Sequence, residues 1–325
     1  MPKKITLKNI ATRAPAGMTK EKALKELEKM KAEIIELQDQ FYADGRYSLL
    51  IVLQGMDASG KDGTVRHVLG GVNPSGIKVY SWKKPVGEET KHDYLWRLHR
   101  VTPEKGMITV WNRSHYEDIL VPTVLKFLDK KVVDRRYDHI NNFEKMLTDE
   151  GTIIVKCYLH MSKDVQLERL EERMLEPHKY WKSTGADFDS RALWDDYMSA
   201  YESVLERTDT VHAPWNIIPV DNKWYKLWLV AKQVLAAMKS VKLEWPLLTA
   251  ENIPESVRQD VEEKKLRIKI ALEQEKKSPP TPKEKKTLSK KKSVPAMKSV
   301  VPKKESAPKK SPEKVSVPKK SIPKK

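Results

Sequence analysis

The chain has 325 residues, 39% of them hydrophobic and nine of them tryptophan, which is enough apolar material for an α/β core and too much for a wholly disordered protein. Its longest apolar run, residues 49–53, is too short for a signal peptide or a membrane span, so the chain reads as cytoplasmic with no membrane partner, and a single cysteine, Cys157, excludes an intramolecular disulfide. The net charge of +17 is uneven, because residues 276–325 hold 18 lysines against 3 acids; the first 275 residues are close to neutral, and charge alone does not mark them as a nucleic-acid binder.

In chain order, Thr19 is placed as an N-cap, and Leu27, Met30, Ile34, Leu37 and Phe41 recur at spacings of three and four, which predicts an amphipathic helix ending near Gly45. Short apolar or β-branched runs at 48–54, 77–82, 107–112, 151–159 and 216–220 predict strands, the fourth of them burying Cys157. Longer amphipathic segments at 136–147, 163–175, 191–206 and 223–238 predict helices. Strands alternating with helices imply a doubly wound α/β fold, a parallel sheet covered on both faces. Residues 1–17 read as an N-terminal extension, 18–250 as one domain, and 251–275 as a charged helical linker. Residues 276–325 repeat Val-Pro-Lys-Lys loosely and are expected to be disordered, since Lys, Pro and Ser bury too little surface to offset chain entropy.

Directly after the first predicted strand comes Gly55-Met56-Asp57-Ala58-Ser59-Gly60-Lys61-Asp62-Gly63-Thr64, which matches the G-x-x-x-x-G-K core of a phosphate-binding loop. Glycines Gly55, Gly60 and Gly63 allow the backbone N–H groups to wrap a phosphate, the helix that follows presents its positive end, and Lys61 adds a mobile cation; Ser59 and Thr64 supply hydroxyls. The position after the lysine, ordinarily Ser or Thr, is Asp62, and a second carboxylate, Asp57, lies within the loop. A carboxylate beside a polyanion is repelled unless a divalent cation stands between them, so Asp57 is a candidate Mg²⁺ ligand or a base orienting the acceptor. Asp62 is assigned the plainer role of an acid at a helix N-terminus.

The third predicted strand runs into Trp111-Asn112-Arg113-Ser114-His115-Tyr116-Glu117-Asp118, at the carboxyl end of a strand, where doubly wound sheets bind ligands. Together with the loop, this segment resembles the paired G-x-D-x-x-G-K and (D/N)-R-S-x-Y signatures of the family-2 polyphosphate kinases, and the resemblance extends over residues 12–245. It takes in Asp93 to His99, Pro177 to Lys182, Ala213 to Trp215 and Asn222 to Tyr225. The resemblance implies a P-loop kinase fold with a helical lid near 163–190, Mg²⁺ as cofactor, inorganic polyphosphate and an adenine nucleotide as substrates, and a homo-oligomer. It assigns Asp57, Lys61, Arg113 and Arg173 to catalysis, and Arg169, Lys179 and Lys182 to phosphate or polyphosphate binding. Many relatives carry Asp where Asn112 stands, so a metal role for Asn112 beside Asp57 is left open. Glu117 matches the subgroup similar to class III, which acts on both AMP and ADP, and is assigned to acceptor selection.

Two other readings compete: an ATP-dependent nucleoside monophosphate kinase of the same fold, and a nucleic-acid-binding protein acting through its basic tail. The tryptophans Trp194, Trp215, Trp224 and Trp228 are expected in the core, Trp82 beside Lys83-Lys84-Pro85 is left open as a border for the adenine, and the eight histidines show no metal-ligand spacing.

Overall fold

The five expected strands form, with ends shifted by a residue at most places, as β1 (Ser48–Gln54), β2 (Ile77–Ser81), β3 (Ile108–Asn112), β4 (Thr152–His160) and β5 (Trp215–Pro219). In the computed structural model, which describes residues 4–182, 184–247 and 254–277, they pair in one parallel sheet in the order β2-β3-β1-β4-β5. Every residue of the central strands β1 and β3 is buried, while the edge strands β2 and β5 are partly exposed, as a sheet covered on both faces requires. In register, Val52 of β1 lies opposite Trp111 of β3 on one side and Lys156 of β4 on the other. Cys157 is fully buried in β4, and burial pushes its thiol up to about 12.

Nine helices belong to this unit among the described residues: α1 (Lys20–Asp44), α2 (Lys61–Leu69), α3 (Trp96–His99), α4 (Glu117–Leu125), α5 (Lys130–Asp149), α6 (Lys163–Leu175), α7 (Gly185–Ala192), α8 (Trp194–Thr208) and α9 (Lys223–Met238). Helices α1, α2 and α9 pack together, as do α4, α5 and α8, with α9 and α5 the members of each group that pack on β4. The Thr19 hydroxyl caps α1 by accepting from the Lys22 N–H at 3.3 Å, and Gly45 ends it at φ 66° with its N–H on the Phe41 carbonyl. Leu27, Ile34 and Phe41 are buried as expected, whereas Met30 and Leu37 are half-buried. Gln38 shares the buried stripe because its side chain accepts from the Asn73 N–H at 2.9 Å.

Helices α3 and α4 have no counterpart in the sequence-based assignment, α7 falls at the end of the helical lid expected near 163–190, and α5 starts six residues before the expected Arg136. Pro122 inside α4 and an apolar surface on nearly all its sides hide the helical period, which needs a polar face to show. The N-terminal residues are tied down: the Ile5 and Leu7 N–H groups donate to Glu206 and Glu202, and Thr12 bonds Asp221 at 2.7 Å. Trp194 is buried, but Trp215, Trp224 and Trp228 are only half-buried, with Trp228 donating to Glu26 at 2.8 Å. Trp82 packs edge-on against Trp111 at 6.0 Å and under the Arg97 guanidinium, so its ring belongs to the core.

Residues 248–325 form a second unit, in which α10 (Glu255–Lys277) covers most of the charged segment expected to be helical. The expected disorder of residues 276–325 falls almost wholly outside the described residues. Among the described residues no helix is long and apolar enough to cross a membrane.

Candidate active site

The loop between β1 and α2 is built on backbone that side chains resist. Gly55 has φ 147°, and a Cβ there would lie 2.7 Å from the Leu159 carbonyl oxygen; Gly60 has φ 87°, and a Cβ there would collide with the Lys226 ammonium. Gly63 has open space around it. Lys61 is buried and folds back on its own loop, donating to the Gly55 carbonyl at 2.7 Å and the Met56 carbonyl at 3.3 Å. Burial, with Arg113 acting in the same direction, pushes its ammonium down to about 8, against the pull of Asp57 and Glu117. The Thr64 hydroxyl is spent on the Gly60 carbonyl at 3.0 Å, and the Ser59 hydroxyl is buried with no protein partner among the described residues.

The second motif is carried by the end of β3. Asn112 donates to the Asp62 carboxylate at 2.5 Å, so the acid placed at the helix N-terminus also ties the two motifs together. Arg113, at φ 64°, turns its guanidinium back to bond Asp57, and lies 3.9 Å from the Glu117 carboxylate. Burial lowers the Arg113 pKa, yet Glu117 and Asp57 outweigh it and hold the group above its ordinary value; burial pushes the Glu117 carboxyl up, with Arg113 and Lys61 opposing. Gln54, with its amide oriented to satisfy both neighbours, donates to Glu117 at 3.0 Å and accepts from Ser114. Beneath the motif, Lys156 donates to Glu144 at 2.7 Å, to the Tyr116 hydroxyl at 2.9 Å and to the Thr208 carbonyl at 2.7 Å. Tyr116 and His115 also engage Glu144, at 2.6 Å and 3.2 Å. Burial pushes the Glu144 carboxyl up, but Lys156 and His115 together hold it below its ordinary value.

On the other side of the loop, a cleft of about 370 Å³ opens between α2, α6, α9 and the 3-10 turn Pro177–Lys182. Arg169 and Arg173 both line it, as their four-residue spacing on one helix predicts, but they are used differently. Arg169 is buried, bonding the Ala58 carbonyl at 3.1 Å and the Val220 carbonyl at 2.5 Å, so it braces the loop. Arg173 donates to the Lys182 carbonyl at 3.3 Å and lies 3.6 Å from Asp187. Lys179 is tied to Glu172 at 2.6 Å and Glu176 at 2.8 Å, whereas Lys182 has no carboxylate partner among the described residues. Lys223 and Lys226 complete the cationic lining and are absent from the sequence-based assignment. A signal for Lys226 was present, since it falls in step with Val230, Val234 and Met238, a buried stripe at four-residue spacing where a lysine needs a reason to be.

Two carboxylates of the loop and its helix could offer oxygen donors to a hard cation: Asp57, which Arg113 bonds, and Asp62, which Asn112 bonds. Among the described residues no group of three or more His, Cys, Asp or Glu could hold a metal by itself. Mg²⁺ does not require one, because it is commonly held through one or two carboxylates with substrate phosphates and water supplying the rest, and the donor set fits that pattern. Asn112 directs its amide nitrogen at Asp62, which leaves only its carbonyl oxygen for a metal.

The family described as polyphosphate kinase 2 matches residues 17–245. An AMP/ADP-polyphosphate phosphotransferase of Meiothermus ruber is 45% identical over 227 residues, 70% of this chain and 85% of that protein. An ADP-polyphosphate phosphotransferase of Rhodopseudomonas palustris is 42% identical over 66% of this chain and 78% of its own length. The crystal structure of polyphosphate kinase 2 from Arthrobacter aurescens superposes with a TM-score of 0.74 at 38% identity, covering 79% of this chain and 92% of that one. A match that runs unbroken through the phosphate loop, the second motif, the cationic cleft and α9 makes this chain a member of the polyphosphate kinase 2 family.

Proposed function

We propose that the protein is a polyphosphate-dependent nucleotide phosphotransferase, moving phosphoryl groups between inorganic polyphosphate and AMP or ADP with Mg²⁺. The observation that carries this reading is the asymmetry about the phosphate loop. One side holds Asp57, Arg113 and Glu117, a compact set suited to a nucleotide phosphate; the other holds Arg169, Arg173, Lys179, Lys182, Lys223 and Lys226 around one cleft, far more positive charge than a single phosphate needs.

Phosphoryl transfer needs alignment and charge neutralisation more than covalent chemistry. The loop N–H groups and Lys61 hold the phosphate to be moved, and Arg113 stabilises charge on it while its bond to Asp57 fixes the guanidinium in place. Arg173 faces the same phosphate from the lid helix α6, with Arg169 keeping the loop in shape. Asp57, with Asp62 or Asn112 and substrate phosphates, would hold Mg²⁺, which would supply charge neutralisation to the reacting phosphates. Glu117, kept near Arg113 and Gln54, bounds the space for the acceptor and so sets the balance between AMP and ADP.

The test is an assay of AMP, ADP, GMP and GDP with polyphosphate and Mg²⁺, repeated with ATP as donor. Turnover of adenine nucleotides with polyphosphate is expected; turnover with ATP alone would return the protein to the nucleoside monophosphate kinases.

A further inference from the structure

We propose that Lys226 is a specificity-determining ligand for the phosphate donor, one that exchanges the Ser59 and Gly60 carbonyls for a phosphate of the polyphosphate chain in the cleft between α6 and α9. The proposal rests on the reading of that cleft as the polyphosphate side.

Lys226 sits on the buried stripe of α9 with 4% of its surface exposed, and no carboxylate lies within ion-pair distance among the described residues. An unpaired buried ammonium is costly and persists where something recovers the cost. Its partners are neutral: the Gly60 carbonyl at 3.0 Å and the Ser59 carbonyl at 3.4 Å. A phosphate oxygen is a stronger acceptor than either, since charge-assisted hydrogen bonds are roughly twice as strong as neutral ones. The ammonium lies against Gly60, where the loop turns into the first turn of α2, and Lys226 itself stands in the first turns of α9. Two helix N-termini therefore share the cleft wall from which the side chain reaches.

The charges around it are mostly of its own sign. Arg169 of α6, Lys223 of its own helix and Lys61 of the loop oppose its protonation, and only Asp62 favours it. Farther along the cleft stand Arg173, Lys179, Lys182 and His67, while Glu172 is spent on Lys179 and Lys223. Burial first, then Arg169, Lys223 and Lys61, push the ammonium down to about 7. A polyanion drawn into the cleft reverses that balance, so donor binding takes up a proton. Affinity for polyphosphate then falls as pH rises above about 7 in the free protein, while nucleotide affinity does not follow this step.

The experiment is calorimetric titration of the full chain with polyphosphate of defined length and Mg²⁺, without nucleotide, at pH 7.5 in two buffers of different ionisation enthalpy. The parent is expected to take up between about half a proton and one proton per site. Lys226→Arg keeps a permanent charge, so it should bind within about threefold of the parent while proton uptake drops by more than half. Lys226→Met should bind polyphosphate about tenfold or more weakly with the nucleotide KM within twofold. Unchanged uptake in Lys226→Arg, or unchanged affinity in Lys226→Met, overturns the role given to Lys226. A parent that binds no polyphosphate overturns the donor assignment and this inference with it.

Discussion

Replacing Lys156 with Met removes the ammonium at the centre of the network beneath the second motif. Lys156 and Glu144 both have side chains with 0% exposure, so Lys156→Met leaves a buried carboxylate without its cation, and strips the Tyr116 hydroxyl and the Thr208 carbonyl of a donor. Breaking a buried pair from one side costs about 3–5 kcal/mol. In a domain of this size each kcal/mol moves the melting temperature by about 2–4 °C, so the loss should be about 6–20 °C. Thermal unfolding followed by circular dichroism measures it, and adding Glu144→Gln to Lys156→Met should recover part of the loss, because the amide still accepts from Tyr116 without a stranded charge. A second arm uses pH. The Glu144 carboxyl is held below its ordinary value in the fold, so its stabilisation is present above the unfolded value near ~4.3 and is lost as pH falls through the lower folded value. The parent should lose its advantage over the double variant in that acid window. A Lys156→Met protein that melts within about 2 °C of the parent would refute the view that this pair supports the motif.

Asp57→Asn keeps the shape of the loop while removing the charge that engages Arg113, and should lower turnover about 100-fold or more with an unchanged melting temperature; activity within threefold would remove Asp57 from the mechanism. Glu117→Asn should alter the ratio of AMP to ADP phosphorylation more than the total rate, measured by product analysis on an equimolar mixture, and equal loss on both acceptors would leave Glu117 a structural role only. Truncation after Glu275 removes 18 lysines and should leave turnover on short polyphosphate within about twofold while weakening retention on long polyphosphate or nucleic acid, most of all at low salt. Loss of activity on short chains would make the tail part of the catalytic assembly.

The sheet was legible because its strands are short apolar runs bounded by turn residues, and the phosphate loop because its glycines and lysine stand at fixed offsets between a strand and a helix. Helices with one apolar face, such as α1, α6 and α9, were found nearly to the residue. Helix α4 was not, since a helix buried on most sides and interrupted by Pro122 carries no period to read. In the site, the loop and motif residues could be named from spacing, but spacing does not say what a side chain will touch. Arg169 and Arg173 share a face, yet one bonds the carbonyls of the phosphate loop and the other reaches Lys182 and Asp187. Glu144, Lys156 and Lys226 come from α5, β4 and α9, and only the fold brings them to the two motifs.

The chain's one thiol lies in the central sheet, where burial pushes it up to about 12, so at neutral pH it offers almost no thiolate to a labelling reagent. The protein is in effect a cysteine-free background. A cysteine placed at Leu175 or Trp181, both well exposed on the elements α6 and Pro177–Lys182 that border the cleft, would be the one site to take a fluorophore or spin label. The surroundings of that part of the cleft could then be followed during turnover without first rebuilding the core.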